Sequence, residues 1–227
     1  MNLDYLSSQY GLLGTLHPTY FKGSICPSSH FLDIQKKRNI AMAEVHAVKD
    51  KETISLISHL LTIRFSKQMS LIWQLGINTA LRISDLLSIK FSDINENRLV
   101  IRESKTGKVA SIALNDKALA LIKDIRAQFP GHQFVFQSYR SRYAQNSAPK
   151  PLSRRAVSNA LDQIGQEVRL RLGTHSMRKT RGYHLYRETG DIARVMKMLR
   201  HSSEAQTLRY IGITQDEIDN DFRELVL

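Results

Sequence analysis

The chain has little that could cross-link or anchor it. Its 227 residues include a single cysteine, Cys26, and a single tryptophan. One thiol excludes an internal disulfide and any metal site built from several cysteines, and it fits a reducing, cytoplasmic setting. The chain does not open on a basic segment followed by an apolar one, so no signal peptide is read. The most apolar run, around Leu71 to Leu81, is broken by Gln74 and Asn78 and is too short to span a bilayer, so no membrane association is expected. Charge is scarce at the start: residues 1–35 hold only Asp4, Lys22 and Asp33, interrupted by Gly11, Gly14, Pro18, Gly23 and Pro27. That composition argues against a long helix there and for short strands or an irregular wrap. Acids are outnumbered as well. Lys and Arg total 33 against 21 Asp and Glu, a net charge of +12 with pI near 9.9. Such an excess points to a polyanionic partner, nucleic acid first, although a generally basic or ribosome-bound protein would explain the charge equally well.

What is present is 42% hydrophobic residues, enough for a core in one large domain or two small ones. From Asp50 the pattern is helical, with Ile54, Ile57, Ser58 and Leu61 at helical spacing. Further helices are expected over 67–78 and 84–89. Arg98 to Glu103 and Val109 to Leu114 read as two strands of a hairpin, with Ser104-Lys105-Thr106-Gly107-Lys108 as its turn. A helix over 116–128, a buried Phe134-Val135-Phe136, a loop over 137–151 and a helix from the capping Ser153 to about Leu170 follow. Helices over 178–189, 192–199 and 204–210 complete the C-terminal half. The fold class is mainly α with a small β-sheet. The expected domains are an N-terminal arm over 1–47, a main domain over 48–213 and an acidic tail over 214–227.

One ordered set of polar residues carries chemistry. Arg82 lies in Ala80-Leu81-Arg82-Ile83-Ser84-Asp85, and Lys105 tops the hairpin. His175 and Arg178 form His175-Ser176-Met177-Arg178, His201 follows Leu199-Arg200, and Tyr210 ends Thr207-Leu208-Arg209-Tyr210. A tyrosine that attacks a phosphodiester needs fixed positive donors for the phosphate, and arginine forks match its oxygens. Its phenol, with a pKa of about 10, must lose a proton, and the departing oxygen must gain one. Each element alone has an ordinary reading: a surface helix for His-x-x-Arg, plain turn chemistry for Lys-Thr-Gly-Lys, an ion pair for Arg82 and a core tyrosine for Tyr210. Their joint occurrence in this order is harder to assign to chance.

On these motifs, over roughly residues 48–213, the chain resembles the tyrosine recombinases of the phage-integrase family. The resemblance implies a DNA breaking-and-rejoining catalytic domain that needs neither metal nor ATP. Arg82 and Arg178 would clamp the scissile phosphate and His201 would add a third contact. Lys105 would protonate the leaving 5′ oxygen, His175 would be the acid–base partner, and Tyr210 would form a 3′-phosphotyrosine bond. Two positions depart from the family pattern. Asp85 stands where Glu is commoner and would hold Arg82 by an i,i+3 contact. Arg200 stands where Gly is usual; in a left-handed conformation it costs about 1–2 kcal/mol, which a phosphate contact would offset. About 47 residues precede the catalytic region, too few for the helical core-binding domain most members carry. The chain therefore looks like the short recombinases that have little more than a catalytic domain.

Beyond the reaction centre, Arg154, Arg155 and Ser158 lie in the first turns of the helix capped by Ser153, where helix N-termini favour phosphate and early residues reach base edges. A solvated, salt-bridged face is the plain alternative. Arg140 and Arg142 would be nonspecific phosphate contacts, and Gln35-Lys36-Lys37-Arg38 is either a linker or a further one. The tail carries five acids against Arg223. Its Ile218, Phe222 and Leu225 form an apolar stripe that would fold back or, as the resemblance favours, dock in trans. The expected partner is double-stranded DNA, in a homotetramer on paired sites, with an accessory DNA-bending or directionality factor. The expected function is site-specific recombination, by integration, excision or inversion. The alternatives are a type IB topoisomerase-like nicking-closing enzyme and a DNA-binding regulator that does not cut.

Overall fold

The computed structural model of the protein describes residues 44–224 and residue 226. The opening segment through 43, with Cys26 and the basic run at 35–38, lies outside the described residues, as does Leu225 of the tail. The elements in chain order are α1 (Lys51–Arg64), α2 (Lys67–Thr79), α3 (Ile83–Ser88), β1 (Ile94–Asn95), β2 (Arg98–Arg102), β3 (Val109–Ala113), α4 (Asp116–Gln128), α5 (Arg142–Gln145), α6 (Arg154–Glu167), α7 (Ser176–Thr189), α8 (Ile192–Leu199), α9 (Glu204–Ile211) and α10 (Gln215–Glu224).

Polar caps set where the helices begin. Asp50 accepts from the Thr53 N–H at 2.6 Å, Ser66 from Met69, Asn115 from Ala118 and Ser153 from Ala156. Each such cap contributes about 1 kcal/mol. Helix α2 lies at the centre, packed against α1, α4 and α7. It buries Leu71, Ile72, Trp73 and Leu75, and the Trp73 indole N–H donates to the Ile54 carbonyl at 3.1 Å, tying α2 to α1. Gly76 lets α7 approach: a Cβ there would lie 2.3 Å from the Met177 sulfur. A second, smaller core of Tyr183, Val195, Leu199 and Ile211 joins α7, α8 and α9.

The hairpin belongs to a three-stranded antiparallel sheet of order β1-β2-β3, with Val100 opposite Ser111 and Arg102 opposite Val109. Strand β1 has two residues, too few to show a period-two pattern, which is why sequence reading finds only the hairpin. Leu99 and Ile101 face inward from β2 while Arg98, Val100 and Arg102 face out. Helix α6 stops at Glu167 rather than near Leu170, because Arg169 turns left-handed (φ 54) and the Leu170 N–H donates back to Gly165. Helix α7 begins at Ser176, two residues before the expected start, and the 137–151 loop contains the short α5, capped by Ser141. Among the described residues no helix is long and apolar enough to cross a membrane.

Candidate active site

The candidate groups sit at helix ends, where backbone carbonyls are left without helical partners. Arg178, in the first turn of α7, is buried. Its guanidinium donates to Ala80 O at 2.5 Å, at the left-handed end of α2, and to Leu199 O at the end of α8. The arginine thereby joins three helices while staying beside the tyrosine. Tyr210, near the end of α9, points its hydroxyl at His175, 3.1 Å from Nδ1. The His201 ring stands edge-on to the Tyr210 ring, centroids 4.9 Å apart at 88°. Four of the six expected residues are thus assembled around one phenol: His175, Arg178, His201 and Tyr210.

Burial raises the Tyr210 pKa above the ordinary phenol value, and the charges of Arg178 and Arg82 pull it the other way. Partial loss of water, then the charges of Arg154, Arg178, Lys179 and Arg82, hold His175 below the ordinary imidazole value. Neutral His175 has a lone pair for the phenol proton, so the pair is arranged for base-assisted attack. Burial and the same two arginines, Arg178 and Arg82, lower His201 as well. Its Nδ1 lies 3.2 Å from Thr207 Oγ1, whose own proton goes to Ser203 O at 2.7 Å, so Nδ1 is the donor in that contact.

Lys179 was not singled out by the sequence. It is buried, its ammonium lies 4.8 Å from the centre of the Tyr210 ring, and it ion-pairs with Glu44. Its place next to Arg178 was visible; its position under the Tyr210 ring was not, because it depends on how α7 and α9 pack.

Arg82 differs in its surroundings from what the motifs suggested. Asp85 does not hold Arg82. Arg82 is the N-cap of α3 in an extended conformation (φ −67, ψ 146), so the i,i+3 geometry of a helix face does not apply to it. Asp85 is fully buried and its Oδ1 accepts from both the N–H (2.9 Å) and the hydroxyl (2.7 Å) of Ser104. Arg82 instead pairs with Glu103, Nη1 to Oε1 at 3.3 Å. Arg200 does take a left-handed conformation (φ 55) at the end of α8, and it also pairs with Glu103, at 2.5 Å. A buried carboxylate therefore stands against its backbone strain. Lys105 is exposed in the turn and has no hydrogen bond or ion pair among the described residues.

Arg154 and Arg155 are exposed in the first turn of α6 and Ser158 is half-buried. Arg154 is close enough for its charge to help depress the His175 pKa. The acids further along this helix are engaged elsewhere: Glu167 pairs with Arg64 at 3.4 Å and Asp162 accepts from Gln166. In the tail, Lys49 donates to Gly212 O and to Glu217, fixing the start of α10, while Phe222 is 83% exposed and does not pack back on the domain.

The depressed histidines have a measurable consequence. His132, His175 and His201 all protonate below 6.5 when folded. As pH falls through the ordinary histidine range, the unfolded chain therefore binds protons first, and stability declines. Urea unfolding at about pH 7.5 and about pH 5.5 checks this: the protein is expected to be less stable at the lower pH, and greater stability there would contradict the assignment.

Known proteins are similar to the chain in sequence and in fold. The model of the phage integrase family matches residues 47–217. The probable integrase/recombinase YoeC of Bacillus subtilis (strain 168) is 35% identical over 177 residues, 76% of this chain and 92% of that protein. The tyrosine recombinase XerA of Pyrococcus furiosus is 27% identical over 139 residues, 60% of this chain and 47% of that one. The chain thus spans nearly all of the Bacillus relative and about half of the archaeal one. Among solved structures, XerA recombinase superposes with a TM-score of 0.62 at 15% identity, over 81% of this chain and 64% of that one. A λ integrase dimer bound to a core site superposes with 0.57 at 21% identity, over 78% and 64%. At these identities the structural likeness speaks to the fold.

Proposed function

Because the chain belongs to the phage integrase family, we propose that it is a site-specific DNA recombinase that cuts and rejoins strands through a 3′-phosphotyrosine bond at Tyr210. The observation that carries this reading is the Tyr210 hydroxyl, 3.1 Å from His175 Nδ1 and flanked by the positive charges of Arg178 and Arg82. The phenol oxygen attacks phosphorus while His175 takes its proton. The bond from phosphorus to the 5′ oxygen breaks, and Lys105 supplies the proton that oxygen needs. Arg82 and Arg178 hold the phosphate oxygens as charge builds, and His201 adds a third contact through Nε2, in the doubly protonated ring that the phosphate's negative charge favours. The phosphotyrosine keeps the energy of the broken bond, so religation needs no ATP, and no step calls for a metal. Arg154, Arg155 and Ser158 contact the DNA backbone or base edges beside the reaction centre. The enzyme works in the cytoplasm as a homotetramer on paired sites, with the exposed Phe222 of α10 available to a neighbouring subunit and an accessory factor setting direction.

The test is a library of nicked duplexes randomised around the nick, from which a short cleaved strand diffuses away and traps the adduct. Denaturant-resistant complexes with biased sequences are expected, and joining two selected sites should yield a four-subunit complex. Adducts without sequence bias would instead indicate a nicking-closing enzyme. Tight binding with no adduct would indicate a regulator that does not cut.

A further inference from the structure

One buried carboxylate outside the expected set is shared by three parts of the site. Glu103 follows β2 directly, at the start of the Lys105 turn, and is 3% exposed. Its side chain meets Arg82 at 3.3 Å, Arg200 at 2.5 Å and the Thr106 hydroxyl at 2.8 Å. Its backbone N–H donates to Lys108 O and its carbonyl accepts from Gly107 N, both at 2.9 Å. Ser104 is held by Asp85 through two hydrogen bonds, and Arg102 donates to Gly107 O at 2.7 Å. The residues flanking Lys105 are therefore wired in place, while the Lys105 side chain has no hydrogen bond or ion pair among the described residues.

We propose that Glu103, with Arg200 as its counterion, is a positioning residue that couples the leaving-group side of the site, Lys105, to its phosphate side, Arg82 and the His201 turn. This rests on the reading of Lys105 as the general acid. A carboxylate this buried is retained only if its charge is matched, and the two guanidiniums that match it come from different segments. Arg82 precedes α3, and Arg200 ends α8 immediately before His201. The His201 N–H donates to Met196 O at 3.0 Å, so a fixed Arg200 fixes the turn that presents the histidine. Arg200 holds a backbone conformation that glycine adopts more readily, and its ion pair with Glu103 gives a reason for arginine at that position. Burial alone would push the Glu103 carboxyl up, but the Thr106 hydroxyl, Arg200 and Arg82 bring it below the usual carboxylate value, so it is charged at neutral pH.

The chemistry allows the two sides to be separated. With oxygen at the 5′ bridging position, the leaving group needs a proton as its bond to phosphorus breaks. With sulfur there, a thiolate leaves unprotonated and the acid no longer matters. Single-turnover cleavage of nicked duplexes of both kinds is measured for wild type, Glu103→Gln, Arg200→Gly and Lys105→Ala. On the oxygen substrate, Glu103→Gln and Lys105→Ala are each expected to lose about 10²-fold, the scale of general-acid catalysis. On the sulfur substrate both should recover to within about tenfold of wild type. Arg200→Gly, whose glycine suits the left-handed turn, should lose about tenfold on oxygen and add nothing further to Glu103→Gln in the double variant.

Wild-type rates for Glu103→Gln on oxygen, or an equal loss on both substrates, would overturn the coupling. Wild-type rates for Arg200→Gly would overturn its part in it. A Glu103→Gln protein that fails to fold leaves the Arg200→Gly comparison to decide. If wild type itself forms no adduct on either substrate, the proposed function fails instead of this inference.

Discussion

Tyr210→Phe is expected to remove the covalent protein–DNA adduct entirely while leaving DNA affinity within about twofold of wild type, since the surface charges that dominate affinity are untouched. The substitution deletes one oxygen. The Tyr210 ring keeps its place against the His201 ring and over the Lys179 ammonium, and the fold loses the contacts of the hydroxyl with His175 and Arg178. No other side chain among the described residues stands in the same relation to His175, so no substitute nucleophile is at hand. Wild type and variant are compared on the nicked duplexes, by denaturing gel for the adduct and by native gel for binding. Adduct that persists in the phenylalanine variant would move the nucleophile elsewhere.

Arg178→Ala is expected to damage both cleavage and stability, because it acts twice. Loss of a preorganised donor to the phosphate should lower cleavage by about 10²–10³-fold. The same change leaves the carbonyls of Ala80 and Leu199 without the donor they share, and a buried orphaned carbonyl costs about 1–3 kcal/mol. Arg82→Ala should lose cleavage on a similar scale with a smaller effect on stability. Arg82 is 20% exposed at its side chain, and Glu103 keeps Arg200 when Arg82 is gone. Single-turnover rates and urea midpoints on the two variants separate the effects. Equal stability losses would mean that the Arg178 hydrogen bonds to the helix ends carry little.

Much of this was legible before the structure, and the reasons differ by residue. Helical spacing in α1 and α2, and the capping Ser153 of α6, follow from local chemistry and read directly. The six polar positions stood out because their order along the chain is unusual, not because of their spacing. What could not be read was the pairing across distance. Glu103 meets residues 82 and 200, and Lys179 meets residues 44 and 210; no periodicity links such positions. Asp85 shows the opposite error. A local rule placed it on Arg82, but the rule presumes that both residues lie on the helix, and Arg82 stands just before it.

The lone tryptophan offers a practical consequence. Trp73 is fully buried between α1 and α2, and no second indole competes with it anywhere in the 227 residues. Its fluorescence is therefore a one-site optical gauge of whether the helical core is intact. It reports on the packing of that core and not on the tyrosine proposed as the nucleophile. A variant that loses cleavage with unchanged Trp73 emission has lost chemistry; one whose emission moves to that of a water-exposed indole has lost its core.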